Sequence, residues 1–179
     1  YYIGVAFHTA LPLTDMHAIK LARGYTAYEG VIKVGKKRII VCECHLPWQS
    51  ALLHDSAQAT LLERYANEPY VVIAGDFNFL KVDCDKSYQL WKDAGFETAN
   101  RGYLGDLVTC PCVGGCSNYL DNIFVKGGKI LNTMVEQTTP AGYSWEDPHG
   151  SSDPEERKAW FAVNLSDHFP MISDIVFTF

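Results

Sequence analysis

In VVIAGDFNFL, residues 71 to 80, an acid and an amide stand either side of Phe77. Asp76 and Asn78 close an apolar run that has the composition of a buried strand. In an extended chain their side chains project to the same side, because side chains alternate with a period of two. A carboxylate and a neutral amide at the carboxyl end of a core strand suit a site that takes a proton and donates hydrogen bonds to an oxyanion. The competing reading is a plain turn, which Gly, Asp and Asn all favour.

Three further stretches carry groups of the same kind. SDHFP, 166 to 170, sets Asp167 beside His168 just before the apolar run MISDIVFTF. There the pair could supply a metal ligand and a phosphate-facing imidazole, or no more than a helix cap and a satisfied core histidine. YLDNIFV, 119 to 125, places Asp121 inside an apolar strand, where a buried carboxylate needs a partner and a histidine is a natural one. ECHLPW, 43 to 48, ends a strand with His45 ahead of Pro47. Each stretch alone is weak, and the argument rests on their convergence at strand ends.

The elements that must bring these groups together are those of one α/β domain covering 1–179, with a mixed sheet. Strands are expected at 1 to 8, 27 to 34, 38 to 45, 70 to 75, 120 to 125 and 171 to 178. VIKVGKKRIIVCECHL reads as a hairpin turning at Gly35 and Lys36, with Lys36, Lys37 and Arg38 forming a solvated turn rather than a phosphate patch. One helix is expected over 48 to 67 from Leu52, Leu53, Leu61, Leu62 and Tyr65, and a second over 86 to 94. From 136 to 164 the composition turns to Gly, Pro, Ser and acids, which indicates a long surface loop carrying Tyr143, Trp145 and Trp160.

The chain is 47% hydrophobic and 20% charged, enough for a core, and its formal charge of -6 gives no global basic field for holding a polyanion. A bound cation would reverse that sign locally. No run reaches the roughly 20 apolar residues of a membrane-spanning helix, and no signal-peptide pattern is present. The sequence opens with YYIGVAF and no Met, inside an expected strand, which suggests that the true start lies upstream. Cys42 and Cys44 alternate toward one strand face, as core residues do. Spacing disfavours zinc at CPCVGGC, 110 to 116, whereas a disulfide from Cys84 to Cys116, or one within the loop, stays open.

HLP, then GDFN about thirty residues on, then Leu-Asp in a strand, then SDHFP near the end: in that order these motifs resemble the endonuclease/exonuclease/phosphatase superfamily. The resemblance covers the chain but only the later part of the family's domain. It implies a DNase I-like sandwich of two mixed β-sheets flanked by helices, N-terminally truncated. It also implies a divalent-metal-dependent phosphoester hydrolase. Asp76 would orient or deprotonate the attacking water, and Asn78 would hydrogen-bond the scissile phosphate. Asp167 would ligate the metal, usually Mg2+, with Mn2+ or Ca2+ as substitutes. His168 would contact the phosphate, Asp121 would hold His168, and His45 would match a second catalytic histidine.

The family's first strands, with an Asn and the principal Glu ligand, have no counterpart before Tyr1, so a missing N-terminal segment or a partner chain is expected to complete the fold. With one carboxylate for a cation that wants about six oxygens, this chain alone is expected to bind magnesium poorly and to cleave slowly. The resemblance leans toward secreted DNase-like members with nucleic acid as substrate. A lipid or inositol-phosphate phosphodiesterase and a fold-retaining binding module are the alternatives.

Overall fold

The computed structural model describes residues 10–79, 84–100, 109–111, 117–118, 120–136, 155, 168 and 170–179. The strand expected at 1 to 8, the expected metal ligand Asp167, the rings Tyr143, Trp145 and Trp160 of the loop expected over 136 to 164, and the side chains of Cys84, Cys110, Cys112 and Cys116 lie outside the described residues. Among the described residues the chain forms β1 (Leu13–Lys20), β2 (Thr26–Val34), β3 (Lys37–His45), α1 (Ala51–Arg64), β4 (Val71–Asp76) and α2 (Cys84–Asp93). These are followed by β5 (Phe96–Thr98), β6 (Cys110–Pro111), β7 (Ser117–Asn118), β8 (Asp121–Lys126), β9 (Lys129–Val135) and β10 (Met171–Val176).

The main sheet has six strands in the order β1-β2-β3-β4-β8-β5. β3 and β4 run parallel and every other neighbouring pair is antiparallel, so the sheet is mixed as expected. The β2–β3 hairpin turns at Gly35 and Lys36, and the basic residues 36 to 38 are exposed there. A parallel pair needs a crossover, and α1 supplies it between β3 and β4. β9 and β10 form a second, antiparallel sheet. The chain turns from β8 into β9 at Gly127, where φ is +71° and an added Cβ would lie 1.9 Å from the Pro69 carbonyl oxygen. Only glycine fits that approach.

α1 is shorter than the spacing predicts, because Ser50 caps it by accepting the Leu53 N–H at 3.3 Å. Leu52 is 79% exposed, and the buried side of the helix is made by Ala57, Gln58, Leu61 and Tyr65. Below it lies an aromatic core. Phe77 packs edge-on against Trp91 and Phe124 and tilted against Phe79, Phe79 packs edge-on against Phe124, and Trp91 stacks on Phe124 at 4.6 Å. Such ring pairs each add roughly 0.5–1.5 kcal/mol to plain burial. Cys42 and Cys44 face this core as free thiols, as their alternation predicts.

β1, β5 and β9 were not among the expected strands, and each lacks the pattern that marks one. β1 bulges between Thr14 and His17, Asp15 has φ +53°, and only Ile19 of its residues is buried. β5 has three residues, and β9 buries no residue fully.

Candidate active site

Strand register builds the site. His45 at the end of β3 pairs with Asp76 at the end of β4, and Asp76 pairs with Asp121 at the start of β8. Asp121 therefore opens its strand rather than lying inside it. Neighbouring strands are about 4.8 Å apart, so the three side chains form one row. The rung behind them, Cys44, Gly75 and Asn122, belongs to the opposite face, where Cys44 and Asn122 are almost completely buried. Gly75 is required in that rung: its φ is +144°, and an added Cβ would lie 1.9 Å from the Cys44 carbonyl oxygen.

His168 completes the row. Its Nδ1 lies 2.7 Å from Asp121 Oδ2, so the ring donates to the carboxylate. His45 Nε2 stands 3.6 Å from Asp76 Oδ2, an ion-pair distance rather than a hydrogen bond. A pocket of about 320 Å³ opens beside Asp121 and His168, walled by Ala74, Ile123, Pro170 and Met171.

Beyond Asp76 the chain is not extended. Asn78 has φ +48°, and its N–H donates to Asp76 Oδ1 at 2.8 Å, which closes a turn on the Asp76 side chain. Asn78 Nδ2 donates to the Leu46 carbonyl at 2.8 Å, which uses one of its two amide protons. Same-side projection is thus replaced by a tight turn, and the competing turn reading also holds. Phe77, between the two polar residues, is fully buried and anchors them. Burial raises the Asp76 carboxyl above the usual carboxylate range, and the Asp121 charge raises it further. His45, His168 and the Asn78 N–H pull the other way without cancelling the rise.

Hydrogen bonds from neighbouring residues support the row. Asp121 N–H donates to Thr109 Oγ1 at 3.0 Å. Asn122 Oδ1 accepts from the Asn100 N–H and from Thr98 Oγ1, both at 3.0 Å, and its Nδ2 donates to the Asn100 carbonyl at 2.8 Å. An Asn inside an apolar strand, next to an Asp, was the available signal. Among the described residues no group of three His, Cys, Asp or Glu side chains could hold a metal ion.

No family model matches the chain, and no curated protein matches it by sequence. Solved structures do match. A mannosyl-6-phosphatase from Bacteroides thetaiotaomicron aligns at TM-score 0.67 and 14% identity over 93% of this chain and 67% of its own. The human Nocturnin catalytic domain with bound sulfate aligns at 0.63 and 16%, over 93% of this chain and 60% of its own. D. rerio TDP2 complexed with a single-strand DNA product aligns at 0.63 and 12%, over 92% of this chain and 68% of its own. The chain thus spans about two thirds or less of these structures' lengths, and at such identities the likeness concerns the fold.

Proposed function

We propose that this chain, which has the DNase I-like fold of the endonuclease/exonuclease/phosphatase proteins, is a phosphoester hydrolase acting on nucleic acid. The observation that carries the reading is the row His45, Asp76 and Asp121, aligned by register at the rim of the sheet and completed by the hydrogen bond from His168 to Asp121. Asp76 takes the proton of the attacking water, and its raised carboxyl makes it a better base than a solvated one. Asn78 donates its second amide proton to the phosphate, and His168 stabilises the charge that develops there. Asp121 holds the tautomer and orientation of His168. His45 protonates the leaving oxygen.

A divalent cation belongs to the proposal through Asp167, with Mg2+ favoured over Mn2+ or Ca2+; bound, it would neutralise phosphate charge and acidify water. The names of the neighbours support phosphoester chemistry: one is a phosphatase, and another was captured with a DNA product.

The test is a panel of plasmid DNA, RNA, sphingomyelin, inositol phosphates and bis-p-nitrophenyl phosphate, with Mg2+ and with EDTA. The expected result is cleavage of a nucleic acid that EDTA and Asp76→Asn both abolish. Cleavage of the lipid or inositol ester alone would move the substrate class. The alternative reading is a binding module that keeps the fold without turnover. It predicts that inorganic phosphate binds and nothing on the panel is cut.

A further inference from the structure

His54 lies on α1, outside the row, yet it reaches the turn that presents Asp76 and Asn78. We infer that His54 is a positioning residue for that turn, acting as the Nε2–H tautomer through the Phe77 carbonyl. Trp91 Nε1 can only donate, and it lies 3.0 Å from Gln58 Oε1, which fixes the orientation of the Gln58 amide. Gln58 Nε2 therefore donates, to His54 Nδ1 at 3.0 Å and to Ser87 Oγ at 3.4 Å. With Nδ1 accepting, the ring proton sits on Nε2, which donates to the Phe77 carbonyl at 2.7 Å. The donors run one way, from the buried indole to the backbone between the two polar site residues.

That carbonyl belongs to the peptide leading into Asn78, which holds an unfavourable left-handed conformation for a residue other than glycine. The other groups of the turn are tied from the strand side: Leu46 N–H donates to the Asp76 carbonyl and Phe77 N–H to the Leu120 carbonyl, both at 2.8 Å. His54 holds the turn from the helix side. Asp55 Oδ1 stands 3.9 Å from His54 Nδ1, beyond hydrogen-bond reach, and Lys86 Nζ draws the same carboxylate at 3.8 Å. Gln58 therefore sets the tautomer. Asn78 can aim its amide only while this peptide keeps its orientation, so losing the His54 donor should disturb the chemical step more than substrate binding.

The first test uses the wild-type protein: ¹⁵N spectra of the labelled imidazole at neutral pH. A protonated Nε2 beside an unprotonated Nδ1 is expected, and the reverse tautomer or a doubly protonated ring would overturn the inference. The second compares His54→Phe, which keeps a ring against Phe79, with His54→Gln, which restores a donor of similar reach. The phenylalanine should lower kcat roughly 10- to 100-fold with KM within about twofold, and the glutamine should recover most of that loss. Equal kcat in all three proteins, or a glutamine no better than the phenylalanine, would sink it. This arm rests on the hydrolase reading. If the wild-type protein turns over no phosphoester, that reading fails, and the imidazole spectrum alone decides the role of His54.

Discussion

Glu29 and Asp76 are both carboxylates on the six-stranded sheet, and their surroundings push them in opposite directions. Glu29 pairs with Cys42, and Cys42 with Ile73, so it stands two strands over and three rungs back from Asp76, on the face that α1 covers. Burial opposes its charge, but Arg64 Nε and Tyr65 Oη each donate to Glu29 Oε2 at 2.8 Å and a second Arg64 nitrogen donates to Oε1. The net effect holds the carboxyl below the usual range. Asp76 has one backbone donor and a histidine at ion-pair distance, and it faces Asp121 across the ladder. Burial and that neighbour hold it above the usual range. Matched donors turn a buried carboxylate into a lock between sheet and helix, whereas a shortage of them leaves a carboxyl that holds its proton more tightly, as the proposed base would.

Asp76→Asn probes the contrast most strongly. Hydrolysis should fall roughly 10²- to 10⁴-fold while the melting temperature stays level or rises, because the amide removes a disfavoured charge. A large loss of stability would make Asp76 a structural group like Glu29. Asp121→Asn should cost about 10²-fold in kcat, since His168 loses the acceptor that orients it. Activity close to wild type would remove Asp121 from the chemistry. Glu29→Gln should leave kcat unchanged and cost about 2 kcal/mol in urea unfolding. That lies toward the low end for a buried pair, because the Arg64 side chain is 41% exposed.

The pH dependence separates the two with opposite signs. Glu29 has a lowered carboxyl, so its contribution to stability is present above its unfolded value of about 4.3 and is lost as pH falls through its folded value. Asp76 has a raised carboxyl, so its contribution is complete below about pH 3.9 and is lost as pH rises through its folded value. The stability gap between wild type and Glu29→Gln should therefore close in acid. The gap between Asp76→Asn and wild type should open in favour of the variant as pH rises. Parallel curves for both variants would erase the distinction.

How much of this the sequence discloses depends on whether a residue's role is set locally. The β2–β3 hairpin was legible because Gly35-Lys36 and the flanking apolar runs are adjacent in sequence. The row was legible as four separate stretches, with Asp121 placed inside its strand, but the order of His45, Asp76 and Asp121 follows from register, which no single segment contains. The left-handed Asn78 escaped the period-two argument because the Asp76 side chain closes a turn on it. Glu29 read as one more residue of a hairpin strand, since its partners Arg64 and Tyr65 lie 35 and 36 positions away. β1 was hidden by its bulge, and α1 ran long in the reading because leucine spacing outweighed the Ser50 cap.

The two thiols behind the row give the molecule an internal clock. Cys42 and Cys44 are buried, with burial pushing the first up to about 12 and the second well above its ordinary value. Neither can present a thiolate to a reagent from the closed sheet. Their labelling must wait for the packing of α1 and the aromatic core on this face of β3 to open, so its rate measures how often that face is exposed. Because Cys44 directly precedes His45, the same rate reports how long one end of the row survives intact between openings.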